Sequence, residues 1–144
     1  MRGLPNILTL WKRPPPPVGA TPADVVHREN KWTLLRYRAK EGGLRYKTPV
    51  LLVPSLINRH YVLDLLPGKS FVEFFVAEGH DVFIIDWGTP GDEDRYVTFD
   101  DVCDKAIGRA ITVAKRLAGR RRVHLLGYCL GGTLATIHAA AHPE

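Results

Sequence analysis

Gly127-Tyr128-Cys129-Leu130-Gly131 sets a thiol midway between two glycines, a spacing with a steric cause. A sharp strand-to-helix elbow holds its central residue in a strained backbone conformation. It also brings strand and helix so close that only residues without a Cβ fit two positions before and two after. Gly127 and Gly131 occupy those positions, and Gly132 relaxes the packing further. Cys129 would then lie over a helix N-terminus, whose partial positive charge favours thiolate, and the Leu130 amide would point at the place an oxyanion forms. Cys129 is therefore the expected nucleophile and Leu130 an expected oxyanion donor. A short motif like this also suits a buried structural cysteine in a glycine-rich turn, and the flanking elements decide between the two.

Those elements alternate. Trp32 to Lys40 reads as an edge or near-edge strand, with β-favouring residues in imperfect alternation. Val50 to Val53 and Val82 to Ile85 are short unbroken apolar runs, as buried parallel strands are. Between them, Ser70 to Glu78 carries a helix signature, with Ser70 as N-cap, Glu73 at the capping-box position and Gly79 as the stop. A second helix spans about Asp100 to Leu117, acidic at its start, basic at its end, with Val102, Ala106, Arg109, Ala110 and Val113 along a mostly apolar stripe. Val123 to Gly127 is the next strand and Leu130 to Ala141 the next helix. The predicted fold class is α/β: a parallel sheet with helices on both faces, resembling the α/β-hydrolase type because the elbow falls between a strand and a helix. Cys103, inside the amphipathic helix, reads as core filling.

Further site candidates lie at the same ends of the strands. In such a fold the loop after the third strand, here Pro54 to His60, offers a second oxyanion donor, and the Ile57 amide is the one favoured. Asn58 and Arg59 are candidates for holding that loop, and His60 is either a surface histidine or a proton-transfer group. Asp86, beside Trp87 and Gly88, either anchors its turn or touches substrate. Gly68-Lys69-Ser70 is not a phosphate loop, because Leu63 stands where that motif needs glycine. No metal or cofactor is expected.

Composition narrows the classes. The 144 residues and 45% hydrophobic content suit one domain. Lys plus Arg exceed Asp plus Glu by 20 to 15, but the excess sits mainly in Arg120 to Arg122 and the first forty residues, without interleaved aromatics, so no nucleic-acid partner is expected. Two distant cysteines make no disulfide framework and fit a reducing compartment. With no membrane-length apolar run and no signal-peptide pattern, a cytoplasmic address is expected. Residues 1–23 read as an amphipathic segment (Leu4, Ile7, Leu8, Trp11) and a Pro-rich linker, the first part being either a frayed tail or a docking element. Residues 24–144 read as the N-terminal part of the α/β-hydrolase domain.

Several segments in order resemble the polyhydroxyalkanoate (poly-3-hydroxybutyrate) synthases, in particular the two-subunit, class III-like catalytic subunits. They are Val26 to Lys31, Pro49 to Arg59, Tyr61 to Leu65, Asp86-Trp87-Gly88-Thr89-Pro90, and Gly127 to Thr133. The resemblance runs from about Thr21 to the last residue. It implies (R)-3-hydroxyacyl coenzyme A as substrate, a polyester product, and Cys129 as the residue that carries the growing chain. It also implies a second synthase subunit, self-association, and a place at the polyester granule surface. Sulfur suits that chemistry, since acyl transfer from one thioester to another exchanges like for like. The histidine and carboxylate that should activate Cys129 follow the nucleophile in this fold, yet only His138, His142 and Glu144 remain, on or beyond a helix leading away from the elbow. The expectation is therefore an N-terminal fragment that lacks the C-terminal strands and helices and is inactive alone. A cysteine hydrolase acting on an ester or thioester, and a noncatalytic binding subunit, are the alternatives.

Overall fold

The computed structural model describes residues 17–143. The predicted amphipathic segment around Leu4 to Trp11 lies outside them. Five strands, β1 (Ala23–Glu29), β2 (Trp32–Tyr37), β3 (Tyr46–Val53), β4 (His80–Asp86) and β5 (His124–Gly127), form one sheet in the order β1-β2-β4-β3-β5. The two expected buried strands, β3 and β4, and the next expected strand, β5, are parallel: Val50 pairs with Val82 on one side and His124 on the other, and Val53 with Gly127.

The sheet is mixed rather than wholly parallel. β2 runs antiparallel to β4 and to β1, a strand that the sequence reading left unassigned. Only Asn30 and Lys31 join β1 to β2, a link too short for a parallel crossover. Asn30 adopts φ 51°, a left-handed value that asparagine tolerates. The near-edge placing of Trp32 to Tyr37 agrees with the sequence. The expected linker ahead of β1 is tied down: Thr21 donates to buried Asp64 through its amide (2.9 Å) and its hydroxyl (2.7 Å).

Period-two alternation divides the core. Leu51, Val53, Phe83 and Ile85 face a layer made of a π-helical turn (Asp101–Ala106) that runs into α2 (Ile107–Ala118), and of α3 (Leu130–Ala141). Val50, Leu52, Val82 and Ile84 face α1 (Phe71–Ala77) through Val72 and Val76. Helices thus cover both faces, as expected. Ser70 caps α1 by accepting from the Glu73 amide at 2.9 Å, but Glu73 accepts from Gly68 (2.7 Å), so the reciprocal half of the capping box is replaced by a tie to the preceding turn. Buried Asp81 on β4 is held by a two-pronged bond from Arg36 on β2, both contacts at 2.9 Å.

Candidate active site

The elbow has the geometry its glycines imply. Cys129 stands at φ 56° and ψ −129°, and it and Asn30 are the two non-glycine residues with positive φ among the described residues. Such a conformation persists only where the surroundings impose it. A Cβ on Gly127 would lie 2.3 Å from the Gly132 Cα, and one on Gly131 would lie 2.0 Å from the Val53 carbonyl oxygen. Tyr128 donates to that same oxygen at 3.0 Å, which continues the β3–β5 pairing into the turn. The Gly131 and Gly132 amides close the first turn of α3 on Tyr128 O (3.0 Å) and Cys129 O (2.9 Å); the Leu130 amide is in neither bond. Cys129 is exposed at this tip.

Cys103 takes the other role expected of it. It is buried, and its thiol donates to the Leu134 carbonyl at 3.4 Å. Burial, followed by the charges of Asp104 and Asp100, pushes that thiol's pKa up. The two cysteines thus divide into a protonated core filler and an accessible thiol on a strained turn.

The loop after β3 lies against the elbow, since a Gly131 Cβ would also approach the Pro54 oxygen at 2.6 Å. The Ile57 amide is not free here, because it donates to Ser55 Oγ at 3.1 Å. This loop is stapled to the turn after β4 at three points. Trp87 Nε1 donates to the Pro54 oxygen at 3.0 Å, Arg59 donates to Thr89 Oγ1, and His60 Nδ1 lies 3.2 Å from Asp86 Oδ2. The His60 ring is poorly aligned for a strong bond, so this last contact is the weakest of the three. Asp86 also accepts from the Gly88 amide at 3.1 Å, which anchors its turn. His60 foremost, assisted by that amide and opposed by burial, holds the Asp86 carboxyl below its ordinary range. Sequence reading named these residues singly and missed that they pair; Asp86-Trp87-Gly88-Thr89 and Pro54 to His60 are two halves of one contact.

Beside the staple, a cavity of about 550 Å³ opens among Trp32, Leu56, Trp87, Pro90, Val102 and Ala106. Its rim charges are paired, Lys31 with Glu93 and Asp94, and Lys105 with Asp101. Cys129 does not line it.

None of the six histidines is bonded to Cys129 among the described residues. His138 Nδ1 faces the Cys103 carbonyl at 3.0 Å, and His142 Nε2 meets Asp104 at 2.5 Å, so both turn away from the elbow as expected. No helix among the described residues is long and apolar enough to cross a membrane.

Comparison with known proteins places this geometry. Residues 16–75 match the family model described as the poly-beta-hydroxybutyrate polymerase (PhaC) N-terminus, and residues 48–144 match that of the alpha/beta hydrolase fold. Over 127 residues the chain is 42% identical to a poly(3-hydroxyalkanoate) polymerase subunit PhaC of Haloferax mediterranei, covering 88% of this chain and 26% of that one. The subunit of the same name from Allochromatium vinosum is 36% identical over 127 residues, covering 88% and 36%. The chain thus spans about a quarter to a third of these relatives. Among solved structures, a putative lipase from Sulfolobus solfataricus superposes with a TM-score of 0.58 at 18% identity, covering 83% of this chain and 45% of that one. An α/β hydrolase enzyme from a lagoon-sediment metagenome superposes with a TM-score of 0.54 at 22% identity, covering 84% and 48%. These last two share the fold. The chain belongs to the α/β-hydrolase fold family and, within it, to the poly(3-hydroxyalkanoate) polymerase group.

Proposed function

We propose that this chain is the nucleophile-bearing part of an acyltransferase that polymerises (R)-3-hydroxyacyl groups from coenzyme A thioesters. The observation that supports it most is the exposed Cys129 at φ 56° between two glycines that admit no side chain, in a chain whose relatives are named as polymerases. In this reading the Cys129 sulfur attacks the thioester carbonyl, and the C–S bond to coenzyme A breaks as a new C–S bond forms. The oxyanion of the tetrahedral intermediate is met by the Leu130 amide. The Ile57 amide joins it by exchanging Ser55 Oγ for the stronger acceptor. A hydroxyl of the growing chain then captures the acyl-cysteine. The proton transfers require a histidine steered by a carboxylate. That pair belongs, in this reading, to the part of the polymerase that these residues do not match in the longer relatives.

A second synthase subunit, self-association, and residence in the cytoplasm at a polyester granule belong to the same proposal, by analogy with the polymerase relatives. The test of the reaction is the product. Full-length protein given (R)-3-hydroxybutyryl coenzyme A, with any second subunit, should release coenzyme A and yield polyester. Free hydroxy acid in stoichiometric yield would instead select a cysteine hydrolase of the same fold.

A further inference from the structure

His138 on α3 and His142, the residue that caps its C-terminus, lie four residues apart, and their rings stand 4.6 Å from centroid to centroid. Opposite them stands Asp104, on the π-helical turn that leads into α2. One ligand-capable atom from each lies within 4.8 Å of the other two, the sole such His/Cys/Asp/Glu group found among the described residues. No metal is expected from the sequence, in which Asp104 lies 34 residues or more from the two histidines; the packing of the π-helical turn against the end of α3 brings them together.

We infer that Asp104, His138 and His142 bind one divalent transition-metal ion of the zinc class, which clasps the C-terminal half of α3 to the turn before α2. Two imidazoles and one carboxylate are a donor set that zinc accepts, with a fourth position left for water. Ligand atoms on a tetrahedral zinc lie roughly 3.3 to 3.5 Å apart, given bonds of about 2.0 to 2.2 Å. Here Asp104 Oδ1 is 2.5 Å from His142 Nε2 and 3.9 Å from His138 Nδ1. The first must widen by about 1 Å and the second close by about half that, while the two histidine nitrogens, within 4.8 Å of one another, close by up to about 1.4 Å, changes that side-chain rotation can supply. Asp104 and His142 are 57% and 53% exposed, so the ion has an entry path along an open groove.

His138 supplies the fixed point. Its ring is buried against Gly108, where an added Cβ would come within 3.3 Å of the His138 Cε1. Nδ1 now faces the Cys103 carbonyl at 3.0 Å; on binding, that contact is given up, the imidazole proton resides on Nε2, and no net proton is released from His138. A π-turn within a longer helix is a frequent companion of functional sites and here carries Asp104. The site lies toward the end of α3 remote from Cys129, so it is structural rather than a participant in acyl transfer, and it stands or falls apart from the proposed reaction.

The test is zinc binding by the metal-free full-length protein, followed by calorimetry and by the shift in melting temperature, in wild type and in the Asp104→Ala, His142→Ala and Cys129→Ala variants. Asp104 and His142 are exposed, so circular dichroism should show both variants folded; whichever folds carries the comparison. The expected result is that each loses one zinc per chain, or binds it at least tenfold more weakly, and loses the zinc-dependent rise in melting temperature. Cys129→Ala should retain all three properties. Unchanged zinc stoichiometry and affinity in Asp104→Ala or His142→Ala, loss of the ion in Cys129→Ala, or no binding to wild type at millimolar zinc would each overturn the assignment.

Discussion

The Trp87 indole donates to the Pro54 carbonyl oxygen at 3.0 Å, so the turn after β4 holds the first residue of the loop that borders the Cys129 elbow. The bond matters through position more than energy. Trp87→Phe keeps an aromatic wall but removes the donor, and should cost about 1 kcal/mol of stability in urea unfolding. If the loop supplies an oxyanion donor, coenzyme A release should fall by about tenfold or more with little change in KM, because a small misplacement near the reacting atoms is expensive. Wild-type turnover in this variant would remove the loop from the reaction.

Gly131 and Gly119 make a matched pair of substitutions. Gly131→Ala drives a Cβ to 2.0 Å from the Val53 oxygen, a backbone clash that nothing can relieve, and should destabilise by more than about 3 kcal/mol or abolish folding. Gly119→Ala meets nothing within 4 Å and carries only the strain of φ 61°, about 1 to 2 kcal/mol. Thermal melts of the two variants rank them, and equal losses would show that the elbow is looser than its geometry.

Removing Arg36 leaves buried Asp81 without its two donors. Arg36→Ala should therefore cost about 3 to 5 kcal/mol, although Arg36 itself is one-third exposed. Denaturant midpoints measure it; a loss below about 1 kcal/mol would mean that water replaces the guanidinium.

Asp86 yields a prediction in pH. Its carboxyl is held below the ordinary range, so it binds fewer protons folded than unfolded over that interval. Its contribution is complete above the unfolded pKa of about 3.9 and is lost as pH falls through the lower folded value. His60→Ala removes the largest cause, so the Asp86 titration followed by carbon-13 NMR should move up toward the ordinary range. An unmoved titration would assign the effect to the Gly88 amide.

Sequence made the parallel core and the elbow readable because both rest on local rules. Unbroken apolar runs mark β3 and β4, and the glycines at positions 127 and 131 are there for lack of a Cβ. Where sequence reading fell short, the cause was non-local. β1 carries no clean alternation, its burial pattern being interrupted by a bulge between Val25 and His27, so nothing short-range separates it from a linker. Ile57 looked like a free donor because its position after β3 was visible, while its bond to Ser55 was not. The pairing of Asp86 with His60, and of Trp87 with Pro54, spans 26 and 33 residues and depends on β3 and β4 lying side by side.

The most direct measurement is the mass of the acyl-enzyme. Full-length protein mixed with a 3-hydroxyl-free acyl coenzyme A, which can load but not extend, should gain one acyl group, map to the peptide bearing Cys129, and lose it to hydroxylamine. Cys129→Ala should show no adduct and release no coenzyme A. Coenzyme A release at the wild-type rate by Cys129→Ala, or an acyl group found on another residue, would contradict the account.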